Sequence, residues 1–155
     1  MVSRRWVELI MSNIPQKLSE FLETLSMFSD ESQRINLLIS YADKFKAVTE
    51  EIAQRPYSDE NKIPFCESGA YVWVKKNTDG TLKFYFAVEN PQGISAKALA
   101  VILDKTLSGE KPEALLNLPD DLVYKIFGQG LSMGKNMGLT GMMQMIQRKS
   151  KALSM

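Results

Sequence analysis

The sequence predicts an α+β domain in which an antiparallel β-hairpin packs against flanking α-helices. Apolar residues recur every three or four positions before residue 46 and after residue 94, which is the spacing of amphipathic helices. Between them, residues 70 to 89 are rich in aromatic and β-branched side chains, which favour strands. A chain of 155 residues with 45% hydrophobic and 24% charged residues has the size and composition of one globular domain. We therefore expect helices to cover one side of the sheet.

Two amphipathic helices are predicted before the hairpin. The first spans residues 14 to 28, with Pro15 in its first turn. Its apolar face consists of Ile14, Leu18, Phe21, Leu22, Leu25 and Phe28. The second opens at Asp30, with Gln33 at the distance of a capping box. Its apolar face consists of Ile35, Leu38, Ile39, Ala42 and Phe45. The periodicity then fades into "QRPYSDENK", which favours a loop.

The hairpin consists of "AYVWVKK" and "LKFYFAVE", joined by "NTDG". Asp79 and Gly80 are predicted to supply the positive-φ residues of a tight turn. A helix follows from about Ser95, a good N-cap, to Gly109. A short helix is predicted from Pro119 to Gly128, and a last one from about 135 to 152. The residues expected to face the core are Ala98, Leu99, Ile102, Leu103, Leu139, Met142, Met143 and Ile146.

We expect residues 13–155 to form this single domain. Residues 1–12 are expected to be an N-terminal extension and a candidate for disorder, and both Met1 and Met11 are candidate start residues. One cysteine excludes an internal disulfide and favours a reducing compartment. The expected location is therefore cytoplasmic, or the plastid stroma if residues 1–12 are the remnant of a longer targeting sequence.

Charge and composition exclude several classes of function. The 19 basic and 18 acidic residues are scattered, so we expect no binding to nucleic acid or to a membrane surface. The chain contains no histidine, which rules out Ser-His-Asp and Cys-His catalysis and helix-borne zinc protease motifs. With a single cysteine, structural zinc sites and cysteine-ligated iron-sulfur clusters within one chain are excluded as well. We expect no metal site.

The single cysteine, Cys66, is the main candidate for chemistry. It lies in "NKIPFCESGAYVWV", at the entry to a strand, where Pro64 stiffens the approach and Ser68 can donate a hydrogen bond. Glu67 beside it opposes formation of the thiolate. Free cysteines are often buried and act as small hydrophobic residues. From composition alone, a structural role for Cys66 is as well supported as a chemical one. A lone reactive thiol can still accept and pass on one sulfur atom.

Five of the nine glycines lie in "GQGLSMGKNMGLTG", where a loop is expected to run into the last helix. Gly134 and Gly138 permit close approach of another backbone or a partner, and Lys135 near a helix N-terminus can hold an anion. Local evidence favours the simpler alternative of a turn and tight helix packing. Met142, Met143 and Met145 of the last helix are expected to fill the core rather than to form a partner groove, and Tyr71 and Trp73 to pack on the sheet.

Three motifs together resemble the SufE family of sulfur acceptors. They are "PFCES" before the hairpin, "ISAKALAVIL" on the following helix, and "LSMGKNMGLTGM" near the C-terminus. The resemblance extends over about residues 14 to 150. It implies a SufE/IscU-like fold and a role in iron-sulfur cluster assembly. Cys66 matches the residue that accepts persulfide sulfur from a SufS-type cysteine desulfurase. In the family, the acceptor protein thereby increases the turnover of the desulfurase and passes the sulfur to the SufB scaffold complex. The resemblance also implies that the desulfurase uses pyridoxal phosphate and that the acceptor itself has no cofactor.

The sequence departs from the family pattern at three positions. Phe65 replaces the usual glycine before the cysteine, Lys135 replaces an arginine, and Asn90 stands where many members have aspartate. The replacement of arginine keeps the charge but loses the bidentate fork. Ser68 keeps the Cys-x-Ser pattern, and Lys97 matches a basic residue on the following helix.

The resulting hypothesis is that Phe65 and other apolar neighbours partly cover Cys66 and protect a persulfide until the partner docks. The expected docking face comprises the surroundings of Cys66, a loop from 131 to 138, and Lys135. Whether this is an enzyme in its own right is undecided, and it is better described as an activator of a desulfurase. The main alternative is a non-catalytic regulatory module for a desulfurase, with Cys66 structural, and a peroxide-sensing thiol is a weaker one. The sequence leaves open which desulfurase is the partner, whether the chain is the main acceptor or a paralogue, and whether it is a monomer or a homodimer.

Overall fold

A computed structural model describes residues 14–154 of the chain. The extension expected over residues 1–12, and with it the choice between Met1 and Met11, lies outside the described residues. The described part contains five α-helices and one two-stranded sheet. In chain order these are α1 (Gln16–Ser26), α2 (Glu31–Ala42), β1 (Ala70–Lys76), β2 (Leu82–Val88), α3 (Ile94–Leu107), α4 (Leu122–Phe127) and α5 (Met133–Leu153). The predicted α+β class is therefore confirmed.

The β-hairpin forms where the sequence places it. The strands are antiparallel, with Ala70 opposite Val88 and Lys76 opposite Leu82. The turn differs in one respect, because Gly80 has φ of 88° while Asp79 is not left-handed. The Gly80 N–H donates to the Asn77 carbonyl at 2.9 Å, so a type I turn is followed by a left-handed glycine, and one positive-φ residue is enough.

Helices α3 and α5 cover one face of the sheet, with α3 against β2 and α5 against β1. The eight residues that were expected to face the core from these helices are all buried, as is Met145. Burial of Met142, Met143 and Met145 confirms that these three methionines of the last helix fill the core. On the opposite face, Tyr57 contacts Tyr71 and Trp73 with ring centroids 5.1 and 5.0 Å away, so both strand aromatics pack on the sheet.

Four helix starts differ from the expectation by a few residues, including that of α5, which begins at Met133 rather than at about residue 135. Pro15 precedes α1 as its N-cap instead of lying in its first turn. Ser95 lies inside the first turn of α3, whose N-cap is Gly93. The short α4 starts at Leu122 rather than Pro119, and it ends at Gly128 as predicted. Asp30 caps α2 as expected, since its carboxylate accepts a 2.8 Å hydrogen bond from the Ser32 N–H.

The apolar face of α2 is only partly buried, contrary to the prediction. Ala42 is buried, but Ile35 and Ile39 are 48% and 40% exposed. Both line an open groove of about 560 Å³ that also includes Ile94 of α3. The periodicity identified the helix but not how completely neighbouring elements cover it.

None of the helices in the described part of the chain is long and apolar enough to cross a membrane.

Candidate functional site: the Cys66 loop

Cys66 lies in a short loop whose ends are held together by the backbone. The Ile63 N–H donates to the Ala70 carbonyl at 2.9 Å, and Lys62 pairs with Tyr71 as an isolated bridge. Inside the loop, the Gly69 N–H donates to the Cys66 carbonyl at 3.1 Å and closes a turn. The cysteine is therefore presented at the entry to β1, as its position in the sequence predicted.

The segment that follows β2 holds the same loop from the other side. The N–H groups of Asn90 and Glu89 donate to the carbonyls of Ser68 and Gly69, both at 3.0 Å. A Cβ atom at Gly93 would lie 2.9 Å from the Ser68 hydroxyl oxygen and 2.8 Å from Val88 Cγ1. Since real Cβ atoms do not approach so closely, this packing requires a glycine at the N-cap of α3.

Helix α5 supports the loop with a face made of glycines. Gly134, Gly138 and Gly141 are spaced by four and three residues, so they share one side of the helix. A Cβ atom at Gly138 would lie 3.1 Å from Cys66 Cα and 3.3 Å from its Sγ. At Gly141 it would lie 3.1 Å from the Pro64 carbonyl oxygen. The loop predicted over 131–138 is therefore helical from Met133 onwards, and its glycines serve close packing against the Cys66 loop.

The structure places Phe65 differently from the expectation. Its φ is 60°, and it is the one non-glycine residue in the described part of the chain with positive φ. Its side chain is 77% exposed, so it does not cover Cys66. Cys66 is half-buried because α5 lies behind it, not because Phe65 shields it. A left-handed backbone at this position gives a physical reason for a glycine there, as the resemblance expected.

Cys66 borders two clefts. The first, of about 310 Å³, is also lined by residues of three segments: Glu67 and Ser68 of the loop, Asn90 and residues 92–96 around the N-terminus of α3, and Gly134, Lys135, Gly138 and Leu139 of α5. The second is more open and is lined by Asp59, Lys62, Ile63, Pro64, Phe65, Cys66, Glu67, Gly134 and Met137. Cys66 therefore contributes to the lining of both clefts.

The expected hydrogen bond from Ser68 to the thiol is not formed within residues 14–154. The Ser68 hydroxyl lies against Gly93 instead. Glu67 is exposed, and its carboxylate has no ion-pair partner within 4.0 Å among the described residues. Within the same part of the chain, no group of three or more potential ligand residues is arranged to hold a metal ion.

Of the two lysines proposed for the site, only Lys135 is brought to it. Lys135 is exposed in the first turn of α5 and lines the first cleft. Lys97 donates to the Pro91 carbonyl at 3.1 Å and lines neither cleft. One helical turn separates Lys97 from Gly93, but its ammonium group is bound to the loop before α3. Lys97, which was noted as a match to a basic residue of the family, therefore supports the loop before α3.

Several residues of the site were not predicted from the sequence. Gln92, Ile94 and Ser95 line the first cleft, and Asp59 and Met137 line the second. Asn90, which was noted as a departure from the family pattern, also lines the first cleft. Its Oδ1 accepts from the Gln92 N–H at 2.9 Å, so the amide serves as a turn cap. The "NPQG" turn signal could have indicated that this segment folds back, but not against which residue.

Comparisons with known proteins identify relatives of this chain. The sequence model of the family described as "SufE: Fe-S metabolism associated domain" matches residues 19–150. SufE-like protein 1, chloroplastic/mitochondrial, of Arabidopsis thaliana is 28% identical over 138 residues, which are 88% of this chain and 35% of that protein. The chain thus spans about a third of that relative's length.

A solved structure supports the fold. The solution structure of a hypothetical protein from Thermus thermophilus superposes with a TM-score of 0.67 at 24% identity, covering 90% of this chain and 97% of that one. At this identity the likeness concerns the fold alone. Because the family match covers most of the chain, the chain belongs to the SufE family of Fe-S metabolism associated domains.

Proposed function

We propose that this protein is a sulfur acceptor and carrier in iron-sulfur cluster assembly, with Cys66 as the carrier residue. The donor is a SufS-type cysteine desulfurase, whose turnover the acceptor stimulates by removing its persulfide product, and the receiver is a SufB-containing scaffold complex. The observation that carries the proposal is the placement of the chain's single cysteine, half-buried in a closed loop that borders two clefts.

The chemistry required of Cys66 is thiol exchange. The Cys66 thiolate attacks the terminal sulfur of a persulfide on the donor cysteine, and a new Sγ–S bond forms. The S–S bond of the donor breaks, and its electron pair leaves with the donor sulfur as a thiolate. Cys66 loses one proton and the donor thiolate takes one up. Because one persulfide is replaced by another, the transfer involves no net oxidation or reduction.

The loop has features suited to holding the transferred sulfur. The glycine at 138 leaves Cys66 Sγ next to the backbone of α5, where a larger residue would displace it. Lys135 at the first cleft provides a positive charge that can favour an anionic persulfide. Activation of the thiol would come from the partner, since the chain has no histidine to act as a base.

One observation favours the alternative of a regulatory module. Cys66 packs against the hydrophobic core as a partly buried residue, which is also how a structural cysteine behaves. Under that alternative the protein would bind a desulfurase through the same face without accepting sulfur.

Intact-mass spectrometry separates the two functions. The protein is mixed with a SufS-type desulfurase, pyridoxal phosphate and free cysteine, without reductant. We expect a reductant-sensitive gain of about 32 Da, one sulfur atom, that maps to Cys66. The Cys66→Ser variant should gain no sulfur and should not stimulate the desulfurase, whose turnover is measured as release of alanine from cysteine. Its thermal unfolding should stay close to that of the wild type. Binding without sulfur gain in the wild type, or full stimulation by Cys66→Ser, would support the regulatory module instead.

Delivery to the scaffold is tested in a second step. Sulfur-loaded protein, freed of the desulfurase and of cysteine, is incubated with the SufB-containing complex. We expect the added mass to leave the protein and appear on the complex. Retention of the sulfur over the time in which clusters form would contradict SufB as the receiver.

A further inference from the structure

Phe65 presents a large apolar side chain to solvent directly beside the reactive cysteine. We infer that Phe65 is the anchor by which the sulfur donor seats on the Cys66 loop, an inference that rests on the proposed function. Its side chain is 77% exposed and lines the second cleft together with Cys66. Aromatic residues, phenylalanine included, are enriched at protein–protein interfaces, where a few well-packed residues dominate the binding energy.

The backbone fixes this outward position. On one side of Phe65 the Pro64 carbonyl lies against Gly141, and on the other Cys66 lies against Gly138. Between these two contacts Phe65 has φ of 60°, a conformation disfavoured for a residue with a Cβ atom. The loop therefore holds the phenyl ring out at a conformational cost that a glycine would avoid, and fold stability gives no reason for this choice.

The ring is part of a larger apolar patch. Met133 and Met137 are 81% and 47% exposed and lie one turn apart on α5. Met137 lines the same cleft as Phe65 and Cys66. A macromolecule that covers this patch is thereby brought within reach of the Cys66 thiol, so the occupant most consistent with the geometry is the protein that exchanges sulfur with it.

The charges at the cleft define the chemistry of that surface further. Two carboxylates, Asp59 and Glu67, and one cation, Lys62, line the cleft. Neither carboxylate has an ion pair among residues 14–154. The transferring sulfur adds another negative charge during exchange. The complementary donor surface is therefore an apolar pocket for the phenyl ring, flanked by lysine or arginine.

Steady-state kinetics of the desulfurase, with this protein as the varied acceptor, test the inference. Phe65→Ala removes the ring but keeps the Cβ atom and hence the backbone preference. We expect it to raise the KM for the acceptor about tenfold, the effect of losing one strong anchor, with kcat unchanged. Phe65→Trp, which keeps a large aromatic side chain, should stay within about threefold of the wild type. Met27→Ala is the matched control, because Met27 is 74% exposed and lines neither Cys66 cleft.

Each outcome decides the matter. An unchanged KM for Phe65→Ala, with wild-type protein that accepts sulfur, overturns the inference and leaves the proposed function standing. A lower kcat at unchanged KM also overturns it, because Phe65 would then act on the geometry of Cys66. If sedimentation shows a homodimer that Phe65→Ala dissociates while KM is unchanged, the ring serves self-association instead. A wild-type protein that accepts no sulfur refutes the proposed function itself. Thermal unfolding of each variant confirms that the fold is retained.

Discussion

The contact between Gly138 and Cys66 can be tested by adding one methyl group. In Gly138→Ala the new Cβ would lie 3.1 Å from Cys66 Cα and 3.3 Å from both its Cβ and its Sγ. The nearest atom belongs to the backbone, so the loop has to move by a few tenths of an ångström. We expect this displacement to lift Cys66 away from α5 and increase its reactivity toward thiol reagents.

Two effects of opposite sign determine the stability of this variant. Alanine in place of glycine inside a helix stabilises by about 1 kcal/mol. Overpacking in a well-packed region destabilises by about 1 to 3 kcal/mol. Because the loop is tied down at Ile63 and Gly69, we expect the second effect to win, with a net loss of about 1 kcal/mol.

Gly134→Ala is the matched control, one turn earlier in the same helix. Its new Cβ would lie 3.2 Å from the Glu67 Oε1, the end of an exposed flexible side chain that can rotate away. We expect this variant to be as stable as the wild type or slightly more stable. Urea unfolding measures the stability of each, and the rate of Cys66 modification by a chromogenic disulfide measures exposure of the thiol. If both variants are equally stable and react equally fast, Cys66 does not pack on Gly138 as described.

Two further predictions concern the backbone of this protein. Phe65→Gly should be about 1 kcal/mol more stable than Phe65→Ala, because glycine adopts the φ of 60° at position 65 without strain. Urea unfolding checks this, and a more stable alanine variant would argue against a left-handed residue there. In the hairpin turn, hydrogen bonds from the Thr81 side chain and then its N–H hold the pKa of Asp79 below its ordinary 3.8. The stabilisation by this carboxylate is therefore present above 3.8 and lost as pH falls through the lower folded-state pKa, so the stability difference between wild type and Asp79→Ala should shrink in that range. A difference that does not change with pH in unfolding experiments would contradict the role of the charge.

Local features of the chain were determined by the sequence alone. Aromatic and β-branched residues defined β1 over 70–76, as observed, because such side chains pack well on the pleated surface of a strand. Asp30 and Gly128 marked a helix start and a helix end, because capping depends on residues within one turn. The cysteine on a loop before the hairpin was located in the same way, and the resemblance of its surroundings to the SufE family gave it a role.

Only the tertiary structure decided what surrounds that cysteine. The glycine face of α5 meets a loop about 70 residues earlier in the chain, and no local pattern indicates which two segments approach so closely. The same holds for Lys97, which matches a family position yet binds the Pro91 carbonyl, and for Ile35 and Ile39, which have helical spacing yet remain exposed. Phe65 is the clearest case: its left-handed φ and outward ring follow from the packing of Pro64 and Cys66 on α5, not from its own conformational preference.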